Sequence, residues 1–360
     1  MKKLATFSIV ALLAVGLALP AAAQIDFEGQ VTGRFQDVEG ESWNDPDWED
    51  DDQEMGFNDA LLNLQVYGDV AAGVDAFAEV QAKGAGDTVD IYEAYLTHSE
   101  LVPMTDLKVG QFELNFGNQR QRGSNNADVQ ANNLIGNAVV DPTAVQTGLE
   151  LSGQYMGAAW SLAATNGTEG AEFDDDRDMA LTAKVWGELM PGLSAAASYH
   201  TVDHDTDAES NFGLSDYASE GYYLDGDLAP GDSANEVDAW QLDFTYDLAG
   251  VGQPAELYAN YGMIETEGVN NGDEYDNEYF TVEGRYDLTP ASYLALRWSE
   301  VNIDDDDKDG DVERLQIGVG HELSPNTLAK LEYVDQDVDD DAGDYANKFD
   351  GIVGELSVSF

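Results

Sequence analysis

The chain has 360 residues, of which 72 are acidic and 15 basic, so its formal net charge is −57, and it contains no cysteine. This charge excludes binding along nucleic-acid phosphates, which rests on basic residues that release counterions. The lack of cysteine excludes disulfide scaffolds, zinc–thiolate sites and thiol nucleophiles. Because 43% of the residues are hydrophobic and 10% aromatic, we expect a folded chain and not a disordered acidic one.

The first 23 residues have the pattern of a secretory signal peptide. Lys2 and Lys3 precede an apolar stretch, and the small residues 21–23 form a cleavage site. We therefore expect a signal peptide over 1–23 and a single domain over 24–360. No later stretch has the roughly 18–20 apolar residues of a membrane helix, so we expect an exported protein without a helical span.

Strand patterns dominate the rest of the chain. Stretches with two-residue alternation recur throughout, rich in tyrosine, valine, leucine and glycine. In 107–117, Phe112, Leu114 and Phe116 alternate with Gln111, Glu113 and Asn115. Sixteen strands are predicted, starting near residues 25, 57, 74, 89, 107, 147, 158, 179, 193, 237, 254, 278, 292, 312, 327 and 351.

The connections between these strands alternate between short turns and long loops. Seven short turns and eight loops join the sixteen strands, and only the loop 84–88 is shorter than the others. A soluble sandwich also has alternating strands, but its loops need not sort by length. The pattern favours an all-β fold, a transmembrane up-and-down antiparallel β-barrel of about 16 strands with its two rims in different compartments.

Two features of the sequence resemble a known family. The chain ends in Phe360 on an alternating strand, and Lys108–Gly117 is similar to a strand motif of the phosphate-selective O/P porin group, with Asn115 where proline is often found. The chain as a whole resembles a Gram-negative outer-membrane porin. The resemblance implies a location in the cell outer membrane, contact with lipid and lipopolysaccharide, and a homotrimer.

The third long connection, 117–146, differs from the other loops. It contains Arg120, Arg122 and Asp128, has no net charge and is rich in asparagine. In porins the third loop folds into the lumen and narrows it, and the resemblance implies the same inward fold here. Amide side chains suit such a place because they donate and accept hydrogen bonds. An ordinary polar surface loop is the alternative.

Most of the acid lies in the other long connections. The segments 36–56, 165–178, 203–236, 265–278, 304–313 and 335–350 hold 46 of the 72 acidic and three of the 15 basic residues, a net charge of −43. Such a rim concentrates cations at a pore mouth. A saline habitat would also explain it, because salt screens the repulsion between carboxylates. We favour the habitat as the cause, with a mild cation preference as a consequence.

If the apolar face of each strand points outward, most strand charges line the lumen. A basic wall facing the third loop would create a transverse field across the pore. Alternatively, the basic side chains pair with neighbouring acids. The predicted lumen residues are the basic Arg34, Lys83, Lys184, Arg285, Arg297, Arg314 and Lys330 and the acidic Glu79, Glu93, Glu113, Glu150 and Glu283.

One acidic stretch resembles half of a calcium loop. The pattern D-x-D-x-D-G begins at Asp305, but position twelve is Gln316 and not glutamate, which excludes an EF-hand. Weak Ca²⁺ binding by Asp305, Asp307, Asp309 and Glu313 remains an alternative to a diffuse cation atmosphere. No cofactor is expected otherwise.

The sequence predicts a non-enzymatic, passive porin for small hydrophilic solutes and ions, narrowed by loop 117–146. No serine lies in a G-x-S-x-G motif. Two alternatives remain open. One is a phosphate- or oxyanion-selective porin that uses Arg120, Arg122 and the basic wall. The other is a structural or adhesive barrel with a closed lumen.

Overall fold

The computed structural model describes most of the chain after the predicted signal peptide. The described residues are 25–41, 52–56, 60–83, 89–117, 132–140, 142, 144–169, 179–203, 236–269, 273–305, 308–339 and 348–360. The signal peptide predicted at 1–23 lies outside them.

The described residues form one sheet of 17 strands. The strands are β1 (Ile25–Glu41), β2 (Asp52–Gly56), β3 (Ala60–Ala71), β4 (Val74–Lys83), β5 (Val89–Val102), β6 (Thr105–Glu113), β7 (Val145–Tyr155), β8 (Ala158–Glu169), β9 (Ala180–Met190), β10 (Leu193–Asp203), β11 (Glu236–Asp247), β12 (Ala255–Val269), β13 (Asp273–Thr289), β14 (Ser292–Asp305), β15 (Lys308–Ser324), β16 (Thr327–Val338) and β17 (Lys348–Ser359).

The sheet closes on itself because β1 pairs on both of its edges. Gln30 of β1 lies opposite Ser359 of β17, and Ile25 lies opposite Gly68 of β3. The short strand β2 pairs with the later part of β1, so β2 and β3 together occupy one position in the barrel. All pairings are antiparallel, and apart from those of β1 with β17 and β3 they join chain neighbours, which confirms the predicted closed barrel of sixteen positions. Closure leaves no unpaired edge to meet lipid.

Strand β14 shows how the two faces of the wall differ. Leu294, Leu296 and Trp298 are 40–49% exposed on the outer surface, whereas Ala295 and Arg297 are at most 1% exposed on the inner side. This reverses the arrangement of a soluble protein, whose apolar side chains point inward. An apolar outer band is what a barrel in a bilayer requires.

Two of the predicted long loops are mostly strand. Strand β12 continues to Val269 and β13 begins at Asp273, while β14 ends at Asp305 and β15 begins at Lys308. The prediction of loops over 265–278 and from residue 304 to the strand start near 312 was therefore wrong. The acidic residues in these segments indicated loops. The strands instead continue beyond the apolar outer band, where an outward-facing carboxylate is exposed to water and not to lipid.

The facing of β6 also differs from the expectation. Phe112, Leu114 and Phe116 are buried inside the barrel, at 0–2% exposure. Glu113 takes the opposite phase, which it shares with the exposed Val109. The expectation that the apolar face of this stretch points outward was wrong, whereas a lumen position of Glu113, which is itself only 7% exposed, stays a prediction. The reason is that the interior contains an apolar surface against which these three side chains pack.

Helical structure is minimal in the described part of the chain. A short 3-10 helix, Leu248–Val251, connects β11 to β12. Among the described residues, no helix is long and apolar enough to cross a membrane.

Candidate constriction inside the barrel

The segment 132–140 of the third loop lies against the inner wall of the barrel. Arg297 of β14 donates to the backbone carbonyl of Gly136 at 2.7 Å, and Arg314 of β15 donates to that of Asn137 at 3.0 Å. Both arginine side chains are almost completely buried. Because a buried guanidinium must satisfy its donors, each one holds the loop backbone in place.

Asn133 holds the beginning of this segment. Its side-chain oxygen accepts a hydrogen bond from Arg285 at 2.9 Å, and its backbone carbonyl accepts one from the Tyr293 hydroxyl at 2.9 Å. Its amide nitrogen donates to Glu283 at 2.5 Å. Three side chains from two neighbouring strands therefore fix one loop residue.

The middle of the segment meets a network of acids and bases. The backbone N–H of Ile135 donates to Glu332, and its carbonyl accepts from Arg34 at 3.4 Å. Arg34 and Lys330 both pair with Glu355, at 2.8 and 3.3 Å. Charged groups inside the barrel are therefore paired with each other as well as with the loop.

Apolar side chains of the segment complete its attachment. Leu134 packs with Tyr293, and Ile135 packs with Phe349 in a second cluster. Val139 and Val140 join a larger cluster that includes the apolar face of β6. The other members are Phe112, Leu114, Phe116, Ala144, Ala163, Ala180, Val202, Val237, Ala239, Ile264, Tyr279, Val301, Ile303 and Val312. The interior thus contains an apolar core beside its polar network.

The start of the same loop follows a different part of the wall. Lys184 of β9 donates to the Asn115 side chain at 3.0 Å and to the Gly117 carbonyl at 2.5 Å. The Gly117 N–H donates to Ser198 of β10 at 3.1 Å. The described parts of the loop therefore run along the inner wall at two separate places, and these parts fold inward as the resemblance implied.

The structure brings several of the predicted lumen residues together. Arg34, Arg297 and Arg314 converge on the backbone of 135–138, and Arg285 binds just before it. Their guanidinium groups bind loop carbonyls in addition to acids such as Glu283, 2.7 Å from Arg297. Their charge therefore serves to hold the loop, a role that neither sequence hypothesis included.

The remaining predicted residues lie elsewhere. Glu150 pairs with Lys108 at 3.2 Å, away from the described loop contacts. Lys83 ends β4 with its backbone opposite Leu61, and its side chain is outside the described part. Also outside the described residues are Arg120, Arg122 and Asp128.

Sequence reasoning missed the uncharged anchors. Ser299 accepts a hydrogen bond from the Val139 N–H at 3.0 Å, and Gln316 donates to the Gly136 carbonyl at 3.0 Å. Each lies two residues from a predicted arginine on the same strand and thus shares its face. The strand phase could have found them, but the analysis of charge alone could not.

The proposed calcium stretch lies on a hairpin. Asp309 pairs through its backbone with Asp304 across β14 and β15, and the exposed Glu313 lies opposite Glu300. Asp307 is outside the described residues. Within the described part, no group of three or more His, Asp or Glu side chains is arranged to hold a metal ion. Calcium binding here stays a prediction.

A closed barrel with an apolar outer band and an inward loop defines an outer-membrane channel protein. Comparison with known proteins agrees. The family model of Gram-negative porins matches residues 8–341, and the chain belongs to this family. It forms a channel for small solutes in the outer membrane. No curated protein matches the chain at a significant level.

Solved structures with the same fold are distant in sequence. The outer membrane channel DcaP of Acinetobacter baumannii has a TM-score of 0.64 at 17% identity and covers 94% of this chain and 98% of its own. OmpT, an outer membrane protein of Vibrio cholerae, has a TM-score of 0.61 at 13% identity, with 95% and 98% covered. An anion-selective porin from Comamonas acidovorans has a TM-score of 0.59 at 12% identity, with 94% and 100% covered.

Proposed function

We propose that the protein is a passive, water-filled porin that lets small hydrophilic solutes and ions diffuse across the outer membrane. Loop 117–146 forms its constriction. The observation that carries this proposal is the attachment of 132–140 to the inner wall through Arg297, Arg314 and Asn133. A segment fixed by buried hydrogen bonds narrows the path permanently, so solutes are sorted by size without energy coupling or catalysis.

We also infer a mild cation preference. The six acidic segments carry a net charge of −43. Their described residues lie at the ends of strands opposite the short turns, and we assign this end to the outer mouth of the channel. Such a field raises the local concentration of cations and lowers that of anions. The basic side chains inside do not oppose this strongly, because Arg34 and Arg297 are paired with Glu355 and Glu283.

Planar-bilayer recording of the purified protein tests this function. We expect stepwise ohmic conductance in KCl and a reversal potential of the cation-selective sign in a KCl gradient. A folded barrel that never conducts would contradict the porin and support the structural or adhesive alternative with a closed lumen.

The oxyanion-selective porin is the second candidate. The motif-like strand Lys108–Gly117 supports it, and the fold is shared with an anion-selective porin from Comamonas acidovorans. The engagement of Arg297 and Arg314 with loop carbonyls argues against it. An anion-selective reversal potential that is lost in Arg120→Gln/Arg122→Gln would establish this alternative and exclude the cation preference.

We propose that the channel is a homotrimer that contacts outer-membrane lipid and lipopolysaccharide, and that it is exported after loss of residues 1–23. A trimer form of OmpT from Vibrio cholerae has a similar fold, with a TM-score of 0.59. Light scattering of the detergent-solubilised protein tests the trimer. N-terminal sequencing of the exported protein tests the cleavage, which we expect before Gln24.

A further inference from the structure

Three aromatic side chains form a row across neighbouring strands near the short-turn end of the barrel. Tyr67 of β3 lies opposite Phe77 of β4, which lies opposite Tyr95 of β5. The ring centroids are 5.1 Å apart for the first pair and 4.9 Å apart for the second. We call Tyr67, Phe77 and Tyr95 the ring row. All three side chains are half-buried.

The ring row faces the interior of the barrel. Tyr67 has the same phase as the buried Asn63 on β3, and Phe77 has the same phase as the buried Glu79 on β4. On β5, Leu96 next to Tyr95 is exposed on the outer surface. The hydrogen bonds of the described loop residues reach other strands, namely β8–β10, β13–β16 and β1. Tyr95 packs against the apolar cluster that includes Val139 and Val140, so the ring row lies beside the attached loop segment.

Carboxylates flank the ring row. Glu79 and Glu93 lie directly opposite each other, two residues further along β4 and β5 from the Phe77–Tyr95 pair. Gln65 donates to the Glu79 carboxylate at 2.9 Å and holds it in place. The surroundings of the rings are thus acidic.

A cation already occupies one end of the row. The Lys108 ammonium is 5.0 Å from the ring centroid of Tyr95 and 5.0 Å from that of Phe112. Its charge is balanced by Glu150 at 3.2 Å. A cation over an aromatic face is attracted by the ring quadrupole. The position of Lys108 is therefore an example, inside this protein, of a positive charge bound by these rings.

From these contacts we infer that the ring row binds organic cations, of the alkylammonium class, on their way through the channel. Alkylated ammonium groups suit this site because their apolar substituents cover ring faces while their charge is attracted by the half-buried Glu93 and, at longer range, by the buried Glu79. Small inorganic cations hold their water more tightly and gain less from the rings. This inference rests on the proposed function, since a solute reaches the row only through an open channel.

The test uses choline as the probe and the folded full-length protein. Choline is added to a K⁺ current through single channels, and its half-blocking concentration is measured. Removing a ring by Phe77→Leu or Tyr67→Leu should raise this concentration about two- to tenfold, whereas Phe77→Trp should retain the wild-type value. Phe27→Leu is the matched control because Phe27 is exposed on the outer surface of β1.

The outcomes separate the inference from the function on which it rests. Equal half-blocking concentrations in wild type, Phe77→Leu, Tyr67→Leu and the control would overturn the site. A wild-type barrel that conducts no K⁺ would contradict the porin. For a barrel that conducts, calorimetric titration of choline into the detergent-solubilised protein is the second measurement of the site, and binding that is unchanged by Tyr67→Leu would overturn it.

Discussion

Arg314 illustrates how a single charged side chain holds the inward segment 132–140. It donates to the carbonyl of Asn137 at 3.0 Å and to the Gln336 side chain at 2.6 Å. In Arg314→Met these buried acceptors lose their partner, which costs about 2–3 kcal/mol of unfolding free energy. We expect that loss in urea titrations of the barrel in detergent. Single-channel conductance should rise because the loop is released from the wall.

Lys348→Met is the control for this substitution. Lys348 also makes a charged contact, 2.6 Å from Asp337, but both side chains are at least half-exposed. An exposed pair contributes roughly 0–1 kcal/mol, so stability and conductance should change little. If Arg314→Met left conductance at the wild-type value, the segment 132–140 would not form the narrow point.

Gly318 offers a test of the apolar attachment. A Cβ atom at this position would lie 2.5 Å from Cδ2 of Leu134 in the inward segment. Gly318→Val therefore displaces Leu134 from the wall, and we expect altered single-channel conductance from a barrel that still folds. Gly284→Val is the control, since the added Cβ meets Leu257 at an ordinary 3.4 Å. Equal conductance in both variants would contradict the contact.

At the residue scale, sequence alone could predict which side of the wall a side chain faces but not what it binds there. Strand alternation placed Arg34, Arg297 and Arg314 inside, and all three are buried there. Their partners are carbonyls of a loop more than 100 residues away along the chain. Backbone carbonyls have no sequence signature. The charges alone therefore predicted either that the arginines pair with acidic side chains or that they create a field across the pore.

At the scale of elements, the turn between β7 and β8 leads to a prediction. Met156 and Gly157 form a two-residue connection in which both residues have positive φ, 51° and 88°. This is the pattern of a type I′ turn, which favours asparagine or glycine at its first position. Met156→Asn should therefore stabilise the barrel by roughly 0.5–1 kcal/mol, because left-handed backbone costs most L-residues about 1 kcal/mol or more and costs asparagine less.

Denaturant titration measures this effect, with Met179→Asn as the control. Met179 is also exposed, and it is not among the described residues with positive φ. A gain of equal size at both positions would show that surface polarity, and not turn geometry, is the cause.

Strands could be predicted from the sequence where the apolar outer band requires alternating apolar and polar residues. They were harder to predict where the strands extend past that band. The alternating apolar pattern around Leu294–Trp298 predicts both that this stretch is a strand and which side chains point outward, because only one face of the strand contacts lipid. Above the band, in 265–269 and 273–278, both faces are polar and the pattern resembles a loop. The prediction for strand β6 failed for a different reason. Phe112 packs in the same apolar cluster as Val140, which belongs to a loop segment that folds back into the barrel.

At the scale of the whole molecule, the charge is arranged in cross-strand rows at the acidic rim. Asp203, Glu236 and Glu267 lie directly opposite one another on β10, β11 and β12. Asp335 and Asp350 form a similar pair on β16 and β17. Like charges at these positions destabilise a sheet. The rim is thus a place where the folded barrel loses stability unless cations accumulate around it.

Both salt and low pH should therefore weaken the repulsion within these rows of carboxylates. Partial burial, followed by the charges of Glu267, Asp203 and Asp238, raises the pKa of Glu236 at the rim. A carboxyl with a raised pKa in the folded state binds protons more readily there than in the unfolded chain. Stability consequently increases as pH falls from above that pKa towards the ordinary value of about 4.3.

Thermal unfolding at low and high KCl measures both effects. The Debye length falls from about 30 Å at 0.01 M to about 3 Å at 1 M salt, so Tm should be several degrees higher in 1 M KCl at pH 7. Acidification to pH 5 should raise Tm in 0.01 M salt and much less in 1 M. In Glu236→Gln/Glu267→Gln both responses should shrink, because the repelling row is gone while general salt effects remain. An unchanged response in this variant would show that the rows do not limit stability, and would remove the physical basis for linking the acidic rim to a saline habitat.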